Sequence, residues 1–222
     1  MELAIDTASE MASLALSEDG RLLAEVTWRC RRNHTVELLP TIDKLLAHTA
    51  SGKEDLAAVF VCTGPGMYTG LRVGISVAKG LARALDLPLL GVGRLELEAY
   101  PHAAFPGDVV AVHRAGRGEL AWATYRGDPW RETSPPRLSK PAQLVERLRE
   151  GTLVVGEIDE TLAALLPDHA VMAPASASIR RAATLAELGF ARLSAGARDE
   201  AALLRPIYLR PPVISPGPKP GD

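Results

Sequence analysis

The chain has 222 residues, of which 47% are hydrophobic and 23% are charged, and these values are typical of a globular protein with one large or two small domains. Its net charge at neutral pH is −2. A protein that neutralises many phosphate groups by itself is usually strongly basic, so this charge argues against a chain that grips RNA alone.

Signals for a membrane or for secretion are not found in the sequence. No apolar run reaches the roughly 20 residues that a membrane span requires. The first residues lack the basic region and the apolar stretch of a signal peptide. The two cysteines, Cys30 and Cys62, are too few for a secreted disulfide framework and do not have metal-ligand spacing. We therefore expect a cytoplasmic protein that does not contact a membrane.

The first hundred residues predict a three-stranded meander that is followed by helices and buried strands. A short apolar strand ends at Asp6, and Asp19-Gly20 marks the hairpin between the next two strands. The later elements of this half are helices at 36–46 and 69–85 and strands at 56–62 and 87–92.

After Pro101 the order of elements begins again. The predicted elements are strands at 109–113 and 119–125, a helix at 140–150, a strand at 153–155, a helix at 160–166, a strand at 170–172 and a last helix from residue 176 or 178 to 188. This repeat predicts two lobes of one topology, an N-terminal lobe at 1–103 and a C-terminal lobe at 104–212. The remaining residues, 213–222, are rich in proline and glycine, and we expect a disordered tail.

Asp6 and Thr7 stand at the end of the first strand, directly before a tight turn, and two interpretations of them are open. In the first phosphate loop of actin-like ATPases, a carboxylate at this place holds a magnesium-bound water, and hydroxyls of the turn face the phosphates. Alternatively, the two side chains only cap the turn and bind no ligand.

The glycine-rich segment 64–70 does not match the known phosphate loops. A Walker loop requires Lys and then Ser or Thr after its last glycine, where this chain has Leu71-Arg72. A dinucleotide fingerprint requires glycine at position 69, where this chain has threonine. A tight strand-to-helix turn is the favoured interpretation, and an anion site at the start of the following helix is the alternative.

Small residues recur along the helix predicted at 69–85. Gly70, Gly74, Ala78 and Ala82 form one row with a spacing of four, and a shorter row holds Gly80 and Ala84. Glycine inside a helix costs about 1 kcal/mol relative to alanine, so the glycines indicate a close contact. The partner in that contact is either the chain's own sheet or a helix of another subunit, and the sequence does not separate the two.

No arrangement of residues typical of a catalyst is present. No two of the five histidines have the spacing of three or four that would place two metal ligands on one helix face; they are His34, His48, His102, His113 and His169. There is no Gly-x-Ser-x-Gly motif, and neither cysteine has a histidine near it in sequence. The sequence therefore predicts no metal site and no catalytic residue.

Five segments of the sequence resemble the bacterial TsaB (YeaZ) family, in order and in spacing, from residue 3 to about residue 212. They are Leu3-Ala4-Ile5-Asp6-Thr7, His34-Thr35 with Leu38 to Asp43, the block Gly64 to Gly74, Ala78 to Ala82, and Pro206-Ile207-Tyr208-Leu209-Arg210. The glycine loop with its helix is the most specific of these segments.

The resemblance implies a two-lobed α/β fold of the actin-like ATPase (ribonuclease H-like) class, each lobe a mixed sheet with helices. It implies a non-catalytic subunit for the synthesis of N6-threonylcarbamoyladenosine next to the anticodon, in tRNAs that read codons beginning with A. The expected partners are the catalytic TsaD-like subunit and a TsaE-like ATPase, with tRNA reached through the complex and with a homodimer as a further form. ATP and metal are expected on the partner subunits, so this chain has no cofactor of its own and Asp6 and Thr7 are a vestigial site.

In this family the helices after residues 33 and 69 form the pairing surface, and the resemblance carries that role to ten residues. They are His34, Leu38, Ile42, Gly70, Arg72, Val73, Gly74, Val77, Ala78 and Leu81. The small-residue row thereby becomes part of the predicted interface.

The second lobe departs from the family pattern at two places. Arg114-Ala115-Gly116 stands where members usually have Asp-Ala-Arg, and Gly156-Glu157-Ile158 stands where they tend to have Gly-Asp-Gly. These departures put a nucleotide contact in that lobe in doubt. The alternative functions are an independent ATPase or kinase on the same fold and a peptidase, which the absent metal pair and nucleophile disfavour.

Overall fold

Two five-stranded sheets form the framework of the computed structural model, which describes residues 1–31 and 33–209. The tail predicted at 213–222 lies outside the described residues. The strands of the first sheet are β1 (Glu2–Asp6), β2 (Met11–Glu18), β3 (Arg21–Arg29), β4 (Ala58–Gly64) and β5 (Leu89–Gly93). Those of the second sheet are β6 (Val109–Arg114), β7 (Leu120–Arg126), β8 (Arg131–Ser139), β9 (Leu153–Gly156) and β10 (Val171–Met172).

The two sheets have the same topology. Their orders are β3-β2-β1-β4-β5 and β10-β9-β6-β7-β8. In each sheet the central strand, β1 or β6, pairs antiparallel with the next strand and parallel with the strand that follows a helical connection. The predicted repeat and the predicted two-lobed α/β fold of the actin-like class are confirmed.

Each sheet is covered by helices on both faces. The helices are α1 (His34–His48), α2 (Tyr68–Ala84), α3 (Arg94–Ala99), α4 (Pro141–Val145), α5 (Glu160–Leu165) and α6 (Ala182–Ser194). Helices α1 and α2 pack their apolar faces, including Leu38 and Ile75, against Leu3 and Ile5 of β1. Helices α4 and α5 take the equivalent place in the second lobe, where Leu144 and Leu162 contact the sheet.

The helix that follows each sheet packs on the other sheet, and α3 also keeps contacts with its own. Helix α3 follows β5 in sequence, but its Leu95 and Ala99 belong to the core of β6, β7 and β9. Helix α6 follows β10, but its Leu185 packs with Ala4 and Phe60 of the first sheet. The predicted boundary at residue 103 thus separates the two sheets, whereas the helices are exchanged between them. Whether 1–103 and 104–212 fold as separate units stays a prediction.

Four elements differ from the sequence prediction. Strand β8 was not predicted because it contains Pro135-Pro136 and lies at an exposed edge, without the alternation of a half-buried strand. Helix α3 was missed because it is only six residues long and buries its charged Arg94 and Glu98 together with its apolar residues. Helix α4 ends at Val145, earlier than predicted, and the chain after it forms tighter turns. Helix α6 begins at Ala182, later than predicted, because residues 175–178 form a separate 3₁₀ turn.

In the described part of the chain, no helix is both long and apolar enough to span a membrane.

The small-residue row of α2 lies against the chain's own first loop. Gly70 and Gly74 are buried. A Cβ atom at Gly70 would collide with the carbonyl oxygen of Thr7, and a Cβ atom at Gly74 would collide with the Oγ1 atom of Thr7. Ala78 and Ala82 continue the row into the core beneath. The interpretation of this row as a surface for another subunit is therefore wrong, and the contact that its glycines indicate is made within the chain.

The second row of small residues on α2 is the exposed one. Ser76, Gly80 and Ala84 face outward, and a Cβ atom added at Gly80 would meet no atom within 4 Å. Gly74 and Gly80 are therefore a matched pair in one helix, one glycine in tight contact and one in open space.

Gly74→Ala is expected to lower the free energy of unfolding by about 1–3 kcal/mol, because Thr7 must move away from the new methyl group. Gly80→Ala is expected to raise it by up to about 1 kcal/mol, because alanine has the higher helix propensity and nothing obstructs it. Urea unfolding of both variants measures the two changes. Shifts of the same sign would contradict the assignment of the two faces.

Candidate functional site

A cavity of about 690 Å³ lies between the lobes, at the carboxyl ends of β1 and β6. The turn after β1 lines it with Ala8 and Ser9, and the end of β6 lines it with His113 and Arg114. The shared topology explains this placement, because the equivalent turns of both lobes point to the same crevice. Ligands of open α/β sheets bind in such crevices.

Asp6 ends β1, two residues before the turn that lines the cavity, and has 1% of its surface exposed. Its Oδ1 atom accepts a hydrogen bond from the Ala8 N–H (2.9 Å), and its Oδ2 atom pairs with Arg180 Nε (2.9 Å). Burial alone would raise the pKa of Asp6, but the Arg180 guanidinium and the Ala8 N–H outweigh it and hold the pKa below 3.8, the ordinary value. Asp6 is therefore a charged carboxylate with its counter-charge in place.

Arg180 reaches three groups from the segment that precedes α6. Besides Asp6, it donates to Glu98 Oε1 (3.3 Å) and to Ser9 Oγ (2.9 Å). Its side chain is 7% exposed, and the nearby carboxylates raise its pKa in spite of its burial. The guanidinium thus stands as a cation beside the carboxylate that ends β1.

A second buried arginine extends this arrangement to the other lobe. Arg94 is fully buried and donates from Nε to Glu98 Oε1 (2.9 Å) and from Nη2 to Glu157 Oε1 (2.5 Å). Glu157 Oε2 accepts from the Arg114 N–H (3.0 Å) and lies 2.9 Å from His113 Nδ1. We call the series Asp6, Arg180, Glu98, Arg94, Glu157 and His113 the interlobe charge chain.

Glu157 is the carboxylate of the interlobe charge chain that belongs to the second lobe. It stands at one of the departures from the family pattern. Burial would raise the pKa of its carboxyl, but His113 and Arg94 lower it well below 4.5, its ordinary value. The side chain therefore keeps a charged carboxylate where the family tends to have aspartate. At the other departure, Arg114 pairs with Asp159 (3.4 Å), and the following turn contains Gly116 with φ +74°.

A magnesium-bound nucleotide does not fit the first-lobe loop. Both oxygens of Asp6 have partners, and the cation beside it is Arg180. Thr7 Oγ1 donates to the Gly70 carbonyl oxygen (2.8 Å), so this hydroxyl is also used within the chain. Among residues 1–31 and 33–209, no group of three or more His, Cys, Asp or Glu side chains could hold a metal ion.

The glycine loop brings two backbone segments close together. A Cβ atom at Gly66 would collide with the Ala8 carbonyl oxygen, which accepts a hydrogen bond from the Met67 N–H (2.8 Å). Gly64 has a φ of +96°, a backbone conformation that residues other than glycine rarely adopt. These features agree with the interpretation of the loop as a tight strand-to-helix turn.

The structure divides the ten predicted interface residues into two groups. Six of them are buried inside the chain, namely His34, Leu38, Ile42, Gly70, Gly74 and Ala78. His34, for example, places its Nε2 atom 3.0 Å from the Ser9 carbonyl oxygen. For these six residues the prediction of a partner contact is corrected, because they pack against the chain itself.

The other four reach the surface: Arg72 is exposed, and Val73, Val77 and Leu81 are half-buried. The same side of the helix pair carries Val36 and Leu39, which are 72% and 49% exposed. These two residues were not among the ten predicted interface residues. Helical periodicity could have found them, because Val36 and Leu39 lie about 160° and about 100° around α1 from the buried Leu38. We call Val36, Leu39, Arg72, Val73, Val77 and Gly80 the outer face.

The interlobe charge chain was also missed. Arg94 and Glu98 have the i, i+4 spacing of a helical ion pair, which is a weak signal. Arg180 and Asp6 are 174 residues apart, and no local pattern connects them.

Comparison with known proteins gives a family for this architecture. The sequence model of TsaD, tRNA N6-adenosine threonylcarbamoyltransferase, matches residues 23–204. The tRNA threonylcarbamoyladenosine biosynthesis protein TsaB of Escherichia coli is 36% identical over 153 residues, 67% of this chain and 66% of that protein. TsaB of Haemophilus influenzae is 33% identical over 161 residues, 66% of this chain and 67% of that protein. The chain belongs to the TsaB (YeaZ) family.

A solved structure of this TsaB family agrees over nearly the whole fold. YeaZ from Pseudomonas aeruginosa is similar with a TM-score of 0.80 and 28% identity, covering 94% of this chain and 99% of that one. In sequence, the match spans just under two thirds of the Escherichia coli TsaB.

In this TsaB family member, Arg180→Ala is expected to lower the free energy of unfolding by about 3–5 kcal/mol, because Asp6 would become a buried charge without its partner. Arg29→Ala is the control, since it breaks an exposed pair with Glu10, and we expect a loss of at most about 1 kcal/mol. Asp6→Asn added to Arg180→Ala should recover part of the loss. Urea unfolding measures all three, and equal losses for Arg180→Ala and Arg29→Ala would contradict the role of the buried pair.

Stability is also expected to fall in acid. Because the folded pKa values of Asp6 and Glu157 are lowered, their contribution is complete above the ordinary values of 3.8 and 4.5 and is lost as the pH falls through the folded values. Glu157→Gln should therefore give a shallower decline of the unfolding free energy below pH 4.5 than the unchanged protein. Urea titrations at a series of pH values test this, with Glu10→Gln as an exposed control, and an unchanged slope in Glu157→Gln would refute it.

Proposed function

We propose that this chain is the non-catalytic subunit of the complex that forms N6-threonylcarbamoyladenosine next to the anticodon, in tRNAs that read codons beginning with A. Membership of the TsaB family supports the process. One observation carries the non-catalytic role: the Asp6 carboxylate, the candidate metal-holding group of the first loop, is paired with Arg180 inside the chain. A protein so arranged contributes by binding rather than by acid, base or metal chemistry.

The proposed main partner is the catalytic TsaD-like subunit, which would dock on the outer face. Val36 and Leu39 of α1 and the half-buried Val73 and Val77 of α2 offer apolar contact area there. The exposed row with Ser76 and Gly80 lets a partner helix approach closely, at the short end of the usual 8–10 Å. A homodimer of the free protein would use the same face.

The remaining components belong to the complex as a whole. We propose that a TsaE-like ATPase joins it, that ATP and metal are held by the partner subunits, and that tRNA is reached through the complex. The proposed location is the cytoplasm, where tRNA modification takes place.

The direct test is co-expression with the TsaD homologue of the same genome, followed by gel filtration and an assay for the modified adenosine. We expect one joint peak and activity only when both subunits are present. Separate elution at micromolar concentrations would refute the proposal. Calorimetry of the isolated chain with magnesium and ATP tests the alternative, because clean nucleotide binding would favour an independent ATPase or kinase.

Leu39→Asp and Gly80→Leu are each expected to weaken binding of the TsaD homologue by tenfold or more, because the first places a charge in an apolar contact and the second fills the exposed row. Neither residue is part of the core, so both variants should fold. Met172→Asp is the control, because Met172 is 51% exposed on β10 of the second lobe. Biolayer interferometry measures the affinities, and Leu39→Asp or Gly80→Leu binding as tightly as the control would contradict the outer face. Gly74→Leu is less informative, since its side chain would meet Thr7.

A further inference from the structure

We infer that the chain segment 205–209 is part of the docking surface for the catalytic partner, and that Tyr208, Tyr68 and Arg72 are its anchoring side chains. This inference rests on the proposed function, because it states how far the docking surface extends beyond the two helices. We call these three side chains the tyrosine clamp.

The segment is fixed to the end of β4 by its backbone. The Ile207 N–H donates to the Thr63 carbonyl oxygen (2.8 Å), at the end of β4 and directly before the glycine loop. Ile207 and Tyr208 also line the cavity between the lobes, together with Met67. The segment therefore runs past the entrance of the cleft and ends beside the first turn of α2.

The clamp is held together by stacking and by one hydrogen bond. The rings of Tyr68 and Tyr208 are stacked, with centroids 5.3 Å apart and planes inclined by 27°. The Cζ atom of Arg72 lies 4.1 Å from the centroid of Tyr68, and its Nε atom donates to Tyr208 Oη (3.3 Å). Three side chains are thus ordered against one another before any partner binds.

In spite of these contacts, the clamp presents a large surface to solvent. Tyr68 is 46% exposed and Tyr208 is 39% exposed. Tyrosine and arginine are enriched among the residues that dominate binding energy at protein interfaces, and ordering them beforehand reduces the entropy lost on association. An exposed, prearranged cluster of this composition has the properties of an interface anchor.

The clamp is continuous with the outer face. Arg72, Ser76 and Gly80 are separated by four residues, so Arg72 stands at the head of the exposed row of α2. Val73 and Val77 flank this row and contact the apolar core that α1 shares. A partner helix lying along the row would therefore meet the clamp at one end.

The contacts of Arg72 and the similarity of this chain to TsaD favour a protein partner over RNA. RNA binding without sequence preference combines aromatic stacking with a groove of several Lys and Arg residues. Here Arg72 is engaged with the two tyrosines, and on α1 the exposed Asp43 pairs with Lys53 (3.1 Å). A catalytic TsaD-like subunit is favoured as the occupant because the TsaD sequence model matches residues 23–204, which include both helices, so such a subunit would present a similar helix pair.

The test measures the affinity of Tyr208→Ala and Arg72→Ala for the TsaD homologue by biolayer interferometry. We expect each to weaken binding by tenfold or more. Tyr208→Phe keeps the stacked ring and loses only the hydrogen bond, so it should remain within about threefold of the unchanged protein. Leu203→Ala is the control, because Leu203 is 65% exposed in the same part of the chain and lies outside the clamp.

Each outcome decides between the two proposals. If the unchanged protein does not bind the TsaD homologue, the proposed function fails. If it binds and Tyr208→Ala binds equally well, the clamp is no part of the surface and the proposed function stands. If Tyr208→Ala binds the homologue normally but its complex has lost affinity for tRNA, the clamp is an RNA contact and the inference is overturned. Unchanged thermal unfolding of Tyr208→Ala and Arg72→Ala shows that a loss of binding is not a general loss of folding.

Discussion

The ion pair between Arg180 and Asp6 determines how the two lobes of this protein meet. It joins the end of the central strand of the first lobe to the segment that leads out of the second, at a place with almost no access to water. A buried pair of this kind contributes little net stability compared with an apolar contact, but it tolerates only one geometry. Through Glu98, Arg94 and Glu157 the same constraint reaches the second lobe. The charged groups between the lobes are therefore paired with one another, beside a cavity of about 690 Å³.

This pairing bears on how a ligand could be bound between the lobes. In a two-lobed protein that works by opening and closing around a ligand, the charged groups of the crevice must exchange partners during the cycle. Here they already have partners from within the chain. The recognition surfaces that we propose are the outer face and the tyrosine clamp, and the clamp is already ordered in the isolated chain. The molecule is better suited to present a fixed surface than to move around a ligand.

Apart from β8 and α3, the order of strands and helices could be predicted from the sequence because it depends on local patterns, such as the hairpin at Asp19-Gly20 and the apolar face of α1. The site could not be predicted in the same way. Arg180 finds Asp6 only through the exchange of α3 and α6 between the lobes, which has no local signal. The interface prediction chose the apolar sides of α1 and α2, and in an amphipathic helix those sides face the core. Leu38 is thus inside and Leu39, its neighbour, is outside.

The exchange of α3 and α6 also has a consequence for the history of the fold. Two lobes with the same strand order are what the duplication of an ancestral half-sized gene would leave behind. Each half now supplies the helix that covers the other: Gly189 of α6 rests directly on the ring of Phe60, and Leu95 of α3 lies under Val109. If either half were lost, recombined or replaced alone, the apolar face of the sheet in the other half would be exposed to solvent. The duplicated halves have become obligate parts of one evolutionary unit.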